Sequence, residues 1–273
     1  MSIAIVTGGA SGIGRAIATS LVTRGDTVIV SDVNIEGAEQ VAHKLNSVGP
    51  GKAFAATLDV RDAEAVAGLF QSVKADHGRL DLVFNNAGIA IGGLAEALTL
   101  DHWNRAIDIN LKGVVHGVHA AYPIMLEQGY GHLVNTASLA GLVPMPMGIP
   151  YTATKHAVVG LSLGLRAEAA GRGVKVSVIC PSFVDTPLLT HVNPDLPETE
   201  LSGDAGPDLK QALPKLYTAE KLARDIMRGV NKNHALIVAP ASGRAAWRGM
   251  RLTPGGAIRV AQFAVDRFRT QKD

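Results

Sequence analysis

The chain has almost no cysteine. Its one cysteine, Cys180, lies in the apolar run from Val176 to Cys180. A single cysteine excludes an intramolecular disulfide, so we expect a buried free thiol and a reducing compartment.

Long apolar runs and a strong net charge are also missing. No uninterrupted apolar stretch reaches the roughly 18 to 20 residues of a membrane span, and Met1–Val6 leads into a first strand without a basic segment or a cleavage site. The formal net charge is +2, and 47% hydrophobic against 18% charged residues exclude a disordered chain. We therefore expect a globular, cytoplasmic protein with no nucleic-acid partner.

The histidines are not grouped as metal ligands are. The nine histidines are dispersed, and His116 and His119, which share a helix face, have no cysteine or carboxylate nearby in the sequence. We expect no metal site.

Short apolar runs alternate with longer helical segments along most of the chain. Seven runs rich in β-branched residues predict strands: Ile3–Val6, Thr27–Val30, Ala53–Leu58, Leu82–Asn85, His132–Asn135, Val174–Ile179 and Ala235–Val238. Gly25, Gly78, Gly129 and Gly173 stand where the intervening helices should end. The pattern predicts an α/β fold, with a single doubly wound, Rossmann-like parallel sheet of about seven strands and helices on both faces.

The chain divides into one domain and a short extension. No repeat, low-complexity tract or linker interrupts residues 1–243, so we expect one domain there. That domain includes an insertion at about 188–216, rich in proline, and a long loop of this kind is often a lid over a site. Residues 244–273 form a basic extension, with seven basic residues against two acidic ones.

A glycine-rich loop follows the first predicted strand. Gly8, Gly12 and Gly14 would let the backbone turn tightly and approach a pyrophosphate, whose charge meets the N–H groups at the start of the next helix. Arg15-Ala16 stands where a nucleoside triphosphate loop has its lysine and hydroxyl, so a dinucleotide fits better. An ordinary strand-to-helix turn is the alternative if the loop is considered alone.

Asp32 follows the second predicted strand, about 20 residues past the glycine-rich loop. A carboxylate there can bind both hydroxyls of an adenosine ribose and would repel a 2′-phosphate. Neither Ser11 nor Val33 offers a positive charge to a phosphate. We therefore expect NAD rather than NADP.

Tyr151 and Lys155 are four residues apart in a segment of helical periodicity. That spacing places both side chains on one helix face. A nearby ammonium favours the phenolate and should lower the pKa of the tyrosine toward the working range of an acid–base catalyst. A surface pair is the alternative for this common spacing.

An ordered set of motifs surrounds this pair: Thr7 to Gly14, Asp59-Val60, Asn85-Asn86-Ala87-Gly88, Asn110, Ser138, Tyr151, Lys155, and Pro181 through Thr186-Pro187. In these motifs the sequence resembles the short-chain dehydrogenase/reductase family, from residue 3 to about 187. Because this range covers most of residues 1–243, the resemblance implies that the domain formed by residues 1–243 is catalytic. It implies an NAD-dependent enzyme that interconverts an alcohol and a carbonyl compound, as a homodimer or homotetramer.

The resemblance assigns four residues to catalysis. Tyr151 would be the general acid or base, and Lys155 would tune its pKa and hold the nicotinamide ribose. Ser138 would orient the substrate oxygen, and Asn110 would anchor a water that relays protons to solvent.

The cofactor contacts implied by the resemblance are spread over several loops. They are Gly8, Ser11, Gly12, Ile13, Gly14, Asp32, Asp59, Val60, Asn86, Ala87, Gly88, Tyr151, Lys155, Pro181, Val184 and Thr186. The chain departs from the family at Ser182, where glycine usually follows the proline, which puts the loop path there in doubt.

Two alternatives to this function remain open, one an enzyme and one not. A nucleotide-sugar epimerase or dehydratase would use the same fold and bound NAD, but its glycine loop commonly has closer spacing. A non-catalytic dinucleotide-binding module would tolerate the loss of Ser138, Tyr151 or Lys155, and all three are present.

Two apolar segments bear on partners. The stretch from Leu139 to Pro150 has no charged residue, so it favours an apolar secondary alcohol or its ketone, although it could instead pack against a helix. In the extension, a helix over Ala257–Arg269 would carry an apolar stripe: Val260, Ala261, Ala264, Val265 and Phe268. We favour packing of this stripe within the protein, with peripheral contact to an anionic membrane as the alternative.

Overall fold

The computed structural model describes residues 1–189, 193, 195–201 and 216–270. Most of the insertion predicted at about 188–216 lies outside the described residues, as do Lys272 and Asp273.

Seven parallel strands form the main sheet. The strands of this sheet are β1 (Ile3–Thr7), β2 (Thr27–Asp32), β3 (Lys52–Thr57), β4 (Leu82–Asn85), β5 (Gly131–Thr136), β6 (Val174–Pro181) and β9 (Leu236–Ala239). Two further strands, β7 (Val184–Asp185) and β8 (Tyr217–Thr218), form a separate parallel pair. The main sheet has the order β3-β2-β1-β4-β5-β6-β9. This confirms the predicted doubly wound fold, whereas the β7–β8 pair was not predicted.

Helices cover both faces of this sheet. Among the described residues they are α1 (Gly12–Arg24), α2 (Ile35–Val48), α3 (Ala63–His77), α4 (Leu100–Ala106), α5 (Gly113–Gln128), α6 (Ile149–Glu168), α7 (Ala219–Asn231), α8 (Ala241–Leu252) and α9 (Pro254–Thr270). Gly25, Gly78 and Gly129 end α1, α3 and α5 in the left-handed conformation, as predicted. Gly173 instead lies beyond the end of α6 and directly precedes β6. α8 was not predicted.

The alternation of side chains along β1 divides them between two of the apolar clusters of the core. Val6 of β1 lies in a cluster with residues of α1, α2 and α7, whereas its neighbour Ile5 lies in a cluster with residues of α3 and α5. Both clusters are buried, so the sheet is a rigid platform for the loops that follow its strands.

The order of strands reverses between β1 and β4. β2 and β3 extend the sheet on one side of β1, and β5, β6 and β9 extend it beyond β4. In open parallel sheets such a reversal leaves a crevice at the carboxyl ends of the two strands, where ligands bind.

Candidate active site

The loops after β1 and β4 are packed together at this crevice. The Thr7 hydroxyl accepts hydrogen bonds from the backbone N–H groups of Asn86 (2.9 Å) and Ala87 (3.0 Å). A Cβ added at Gly8 would lie 2.9 Å from the Cα of Ala87, and one at Gly14 would lie 2.0 Å from the Gly8 carbonyl oxygen. Because side chains at these positions would clash with the backbone, glycine is needed for the close packing of the loops after β1 and β4.

The start of α1 is open at this point. Its N-cap residue, Ser11, makes no capping hydrogen bond through its side chain. The first-turn N–H groups around Ile13 therefore point out of the helix without a side-chain partner from the cap, which fits the pyrophosphate of a dinucleotide. Gly12 has φ of 49°, and a Cβ there would lie 3.2 Å from Cβ of Thr186, so the loop after β6 closes over the same site.

Asp32 lies at the end of β2, beside the same loop. Its carboxylate accepts hydrogen bonds from the backbone N–H groups of Ala10 and Asn34, both at 3.0 Å. Val33, next to it, is exposed. The carboxylate is thus fixed in orientation at the edge of the crevice, where the ribose hydroxyls of an adenosine would fit.

Asp59 and Val60, two of the predicted cofactor contacts, follow β3. The Arg61 guanidinium binds both carboxylate oxygens of Asp59, with a shortest distance of 2.6 Å, and holds the pKa of that carboxyl below its usual range. Val60 is buried, and its carbonyl oxygen accepts a hydrogen bond from Nδ1 of His116 at 2.8 Å. His116 therefore fixes this loop, a function that its helical spacing with His119 did not reveal.

Ser138, Tyr151 and Lys155 meet at the carboxyl end of β5. Ser138 caps a 3₁₀ turn, Leu139–Gly141, and its hydroxyl accepts from the backbone N–H of Ala140 at 3.1 Å. Pro150 in the first turn of α6 favours the helix start there, so Tyr151 and Lys155 lie one turn apart on the same face. The Ser138 hydroxyl lies close enough to the Tyr151 side chain to act on the pKa of the phenol, which it lowers.

The lysine is buried beneath the tyrosine. Lys155 is 3% exposed, its Nζ lies 5.4 Å from the centroid of the Tyr151 ring, and it donates a hydrogen bond to the Thr136 carbonyl oxygen at 3.1 Å. Sequence reasoning missed Thr136, whose carbonyl holds the ammonium and whose hydroxyl donates to Oδ1 of Asn86 at 3.3 Å. Its place two residues before Ser138 at a strand end was the available signal.

The pKa values of this group differ from the sequence-based expectation. Burial raises the pKa of Tyr151, and the hydrogen bond with Ser138 offsets only part of that rise. Burial also lowers the pKa of Lys155 to about 8. The predicted lowering of the tyrosine pKa is therefore wrong for this structure, because removal from water outweighs the nearby groups.

Asn110 lies in a π-helical turn, Ile107–Lys112, between α4 and α5. Its buried side-chain amide accepts from the backbone N–H of Ile89 (2.8 Å) and donates to the carbonyl of the same residue (3.0 Å). A Cβ added at Gly88 would lie 2.9 Å from Oδ1 of Asn110 and 3.4 Å from Nζ of Lys155. The structure thus brings Asn110 and Lys155 together, with only a glycine between them.

The loop after β6 closes the other side of the site. The Pro181 carbonyl accepts a hydrogen bond from the Ser138 hydroxyl at 3.4 Å, and the Thr186 hydroxyl donates to the Val184 carbonyl at 3.4 Å. Ser182 does not have a positive φ, and its N–H donates to the carbonyl of Ala239 at 2.8 Å. A side chain at position 182 is therefore accommodated without backbone strain.

The uncharged stretch before Tyr151 faces two neighbours. The Met147 carbonyl accepts a hydrogen bond from the N–H of Gly93 at 3.0 Å. Pro144, Met145 and Pro146 line an apolar pocket of about 310 Å³ whose opposite wall is α9. These three residues therefore face α9 across this pocket.

Within the described ranges, no group of three or more His, Cys, Asp or Glu side chains could hold a metal ion, and no helix is long and apolar enough to cross a membrane.

Comparison with known proteins identifies related chains. The profile of the family described as short chain dehydrogenase matches residues 2–197. Cyclohexanol dehydrogenase of Acinetobacter sp. strain SE19 is 37% identical over 191 residues, which cover 69% of this chain and 75% of the relative. D-threitol dehydrogenase of Mycolicibacterium smegmatis is 43% identical over 187 residues, covering 68% and 71%.

A solved structure is similar over nearly the whole chain. The short chain dehydrogenase/reductase from Burkholderia phymatum in complex with NAD superposes with a TM-score of 0.85 at 29% identity. The alignment covers 93% of this chain and 94% of the other.

Proposed function

Since this chain belongs to the short-chain dehydrogenase family, we propose that it interconverts an apolar secondary alcohol and its ketone with NAD(H), using Tyr151 to transfer the proton. The observation that carries the proposal is the grouping of Ser138 and Tyr151 with the buried Lys155, whose Nζ lies 5.4 Å from the centroid of the Tyr151 ring. A hydroxyl, a phenol and an ammonium gathered beside an open helix N-terminus suit proton transfer to a substrate oxygen.

The residues of the crevice fit a dinucleotide. Its pyrophosphate would lie against Gly8, Ser11, Gly12, Ile13 and Gly14, its adenosine near Asp32, Asp59, Val60 and Asn86-Ala87-Gly88, and its nicotinamide near Tyr151, Lys155, Pro181, Val184 and Thr186. The dinucleotide, when bound, supplies or accepts the hydride. NAD is favoured over NADP because the fixed Asp32 carboxylate would repel a 2′-phosphate, and the Burkholderia relative is an NAD complex.

The side chains of this protein handle the proton. In ketone reduction the Tyr151 hydroxyl donates its proton to the substrate oxygen while the Ser138 hydroxyl donates a hydrogen bond to the same oxygen. In alcohol oxidation the Tyr151 phenolate accepts the proton. Lys155 would hold the nicotinamide ribose, and its ammonium charge opposes the rise in the Tyr151 pKa that burial causes.

Asn110 is proposed to support a proton relay to Lys155 by holding neighbouring backbone in place. Its side chain is occupied by both backbone groups of Ile89. Asn110 would therefore keep the π-helical turn beside Lys155, where the water of a proton relay would bind.

The substrate is proposed to be apolar because the wall before Tyr151 has no charge. One relative is named for cyclohexanol, an apolar secondary alcohol, and another for D-threitol, a polyol. Initial rates of NADH formation with cyclic, aliphatic and steroid-like secondary alcohols and with polyols test this. Higher kcat/KM for polyols or short hydroxy acids would contradict an apolar substrate while leaving the reaction type intact.

Replacement of Tyr151 by phenylalanine tests the mechanism. We expect Tyr151→Phe to bind NADH as the parent does, because the ring is kept, and to lose at least about a hundredfold in kcat, because the proton-transferring hydroxyl is gone. Fluorescence titration with NADH and steady-state rates measure the two effects. Near-parental turnover in a variant that still binds NADH would refute the assignment.

A further inference from the structure

The C-terminal helix presents one face to the body of the protein and another to solvent. Ala257, Ala261, Val265 and Phe268, spaced by three or four residues, are half-buried, and Ala261 and Val265 line the pocket against Pro144–Pro146. Arg269 forms an ion pair with Glu96 at 3.7 Å. α9 is thus fixed against the protein by one side only.

The outward face combines arginines with large apolar side chains. Val260 is 71% exposed and Phe263 is 68% exposed. Arg259 lies four residues before Phe263 and Arg267 four residues after it, so all three share this face. No side chain of α9 is buried, and Leu252 at the end of α8 is 82% exposed beside Arg251. Exposed apolar groups grouped in this way mark a binding surface.

The charge of this surface has one sign. Residues 244–270 carry six arginines and one acidic residue, Asp266. Arg248, Arg259 and Arg267 have no ion pair with any other described residue, whereas Arg244 is bound to the Val238 carbonyl and Arg251 lies over the Trp247 ring. Free cationic groups flanking exposed apolar side chains match the two layers of an anionic bilayer surface, headgroups outside and acyl chains beneath.

We infer that the outward face of α8 and α9, formed by Arg248, Leu252, Arg259, Val260, Phe263 and Arg267, binds the surface of an anionic lipid bilayer. A second copy of the chain suits this face less well, because a twofold contact through it would set arginine against arginine. A purely charged polymer would leave Leu252, Val260 and Phe263 without a function. Because the other face of α9 walls the pocket against Pro144–Pro146, the bound bilayer would lie across α9 from that pocket.

Vesicle co-sedimentation of the full-length protein tests this inference without any need for turnover. The probes are vesicles of equal parts phosphatidylglycerol and phosphatidylcholine, compared with vesicles of phosphatidylcholine alone. The full chain should pellet with the first and much less with the second. Phe263→Ser should weaken the partition coefficient about tenfold, the effect of one lost aromatic side chain. Arg259→Gln together with Arg267→Gln should weaken it by a further tenfold or more, since each charge near an anionic surface contributes about fivefold.

The matched control is Phe54→Ser. Phe54 is 53% exposed on the edge strand β3, outside this face, so its loss should leave pelleting unchanged. All the substituted residues are exposed, and circular dichroism verifies that each variant is folded.

Three results would overturn the inference. The first is no pelleting of the parent with anionic vesicles. The second is equal pelleting of the parent and Phe263→Ser, which would assign the arginines to charge attraction alone. The third is self-association without vesicles, seen by sedimentation velocity and abolished by Phe263→Ser, which would make the face a contact between copies.

Discussion

At the scale of single residues, burial decides the protonation state of Tyr151. The raised pKa of Tyr151 keeps the phenol protonated throughout the neutral range, which suits proton donation to a ketone. Alcohol oxidation needs the phenolate, so its rate should rise toward alkaline pH as the phenol loses its proton. The neighbouring Ser138 hydroxyl favours the phenolate and draws the pKa of Tyr151 back toward its ordinary value.

Removal of the Ser138 hydroxyl should therefore move the pH profile. In Ser138→Ala the pKa of Tyr151 rises further, because a hydrogen bond to the charged form is lost, and the rising limb of kcat/KM for oxidation shifts to higher pH. Ser138→Thr keeps a hydroxyl and should keep the limb near its parental position. Profiles of kcat/KM against pH for the three proteins measure this, and a limb that moves to lower pH in Ser138→Ala would contradict it.

Asp32 should decide between the two dinucleotides. Asp32→Ala removes the carboxylate that would repel a 2′-phosphate, so the ratio of kcat/KM for NAD to that for NADP should fall by about tenfold, the scale of a charged hydrogen-bonding group. The ratio is the informative quantity, because loss of the bonds to Ala10 and Asn34 should weaken both cofactors. Asp76→Ala, at the far end of α3, is the control and should leave the ratio unchanged.

At the scale of elements, the sequence predicted what depends on local pattern. The seven sheet strands follow from β-branched runs, and the structure extends most of them by only one or two residues. α9 begins at Pro254 rather than Ala257 because proline is favoured in a first helical turn. The candidate site was accessible to the same reasoning wherever a motif directly follows a strand, as for Gly8, Asn86 and Ser138.

Features caused by tertiary contacts could not be predicted in this way. The π-helical turn Ile107–Lys112 consists of ordinary helix-compatible residues, and its buried Asn110 is held by Ile89, a residue distant in sequence. β7 and β8 contain two residues each, too few for any periodicity. The direction in which the Tyr151 pKa is shifted depends on burial, and burial cannot be predicted from the spacing of residues along a helix.

Glycines within two helices should respond in opposite ways to the same substitution. A Cβ at Gly117 of α5 would lie 1.9 Å from Oδ1 of Asn85, a buried amide whose nitrogen donates to Asn135. A Cβ at Gly68 of α3 would meet nothing within 4 Å. We expect Gly117→Ala to lower the free energy of unfolding by about 2 kcal/mol through overpacking, and Gly68→Ala to raise it by about 0.5 to 1 kcal/mol through helix propensity.

Urea unfolding of the parent and the two variants measures both effects. Gly68→Ala is the control for the general benefit of alanine in a helix. A stabilised Gly117→Ala would mean that the contact between α5 and β4 is looser than the structure indicates.

At the scale of the whole molecule, the two halves of the sheet have different tasks. Strands β1 to β3 and the loop after β4 form the proposed dinucleotide crevice, while β5, β6 and α6 carry the proposed proton-transferring group. The halves meet where Gly88, Asn110 and Lys155 come together. If β5, β6 and α6 separate first, we therefore expect turnover to stop while the dinucleotide crevice of β1 to β3 is still folded.

The lone thiol of Cys180 makes such opening observable. It is fully buried in β6, between β5 and β9, and burial raises its pKa to about 12. Thiolate is the reactive form, so a maleimide or a disulfide reagent can label it only after this part of the sheet separates. The labelling rate should be far below that of a free thiol and should fall further with saturating NADH. Labelling as fast as a small thiol would contradict this burial. The labelling rate of Cys180 therefore measures how often the sheet opens around β6.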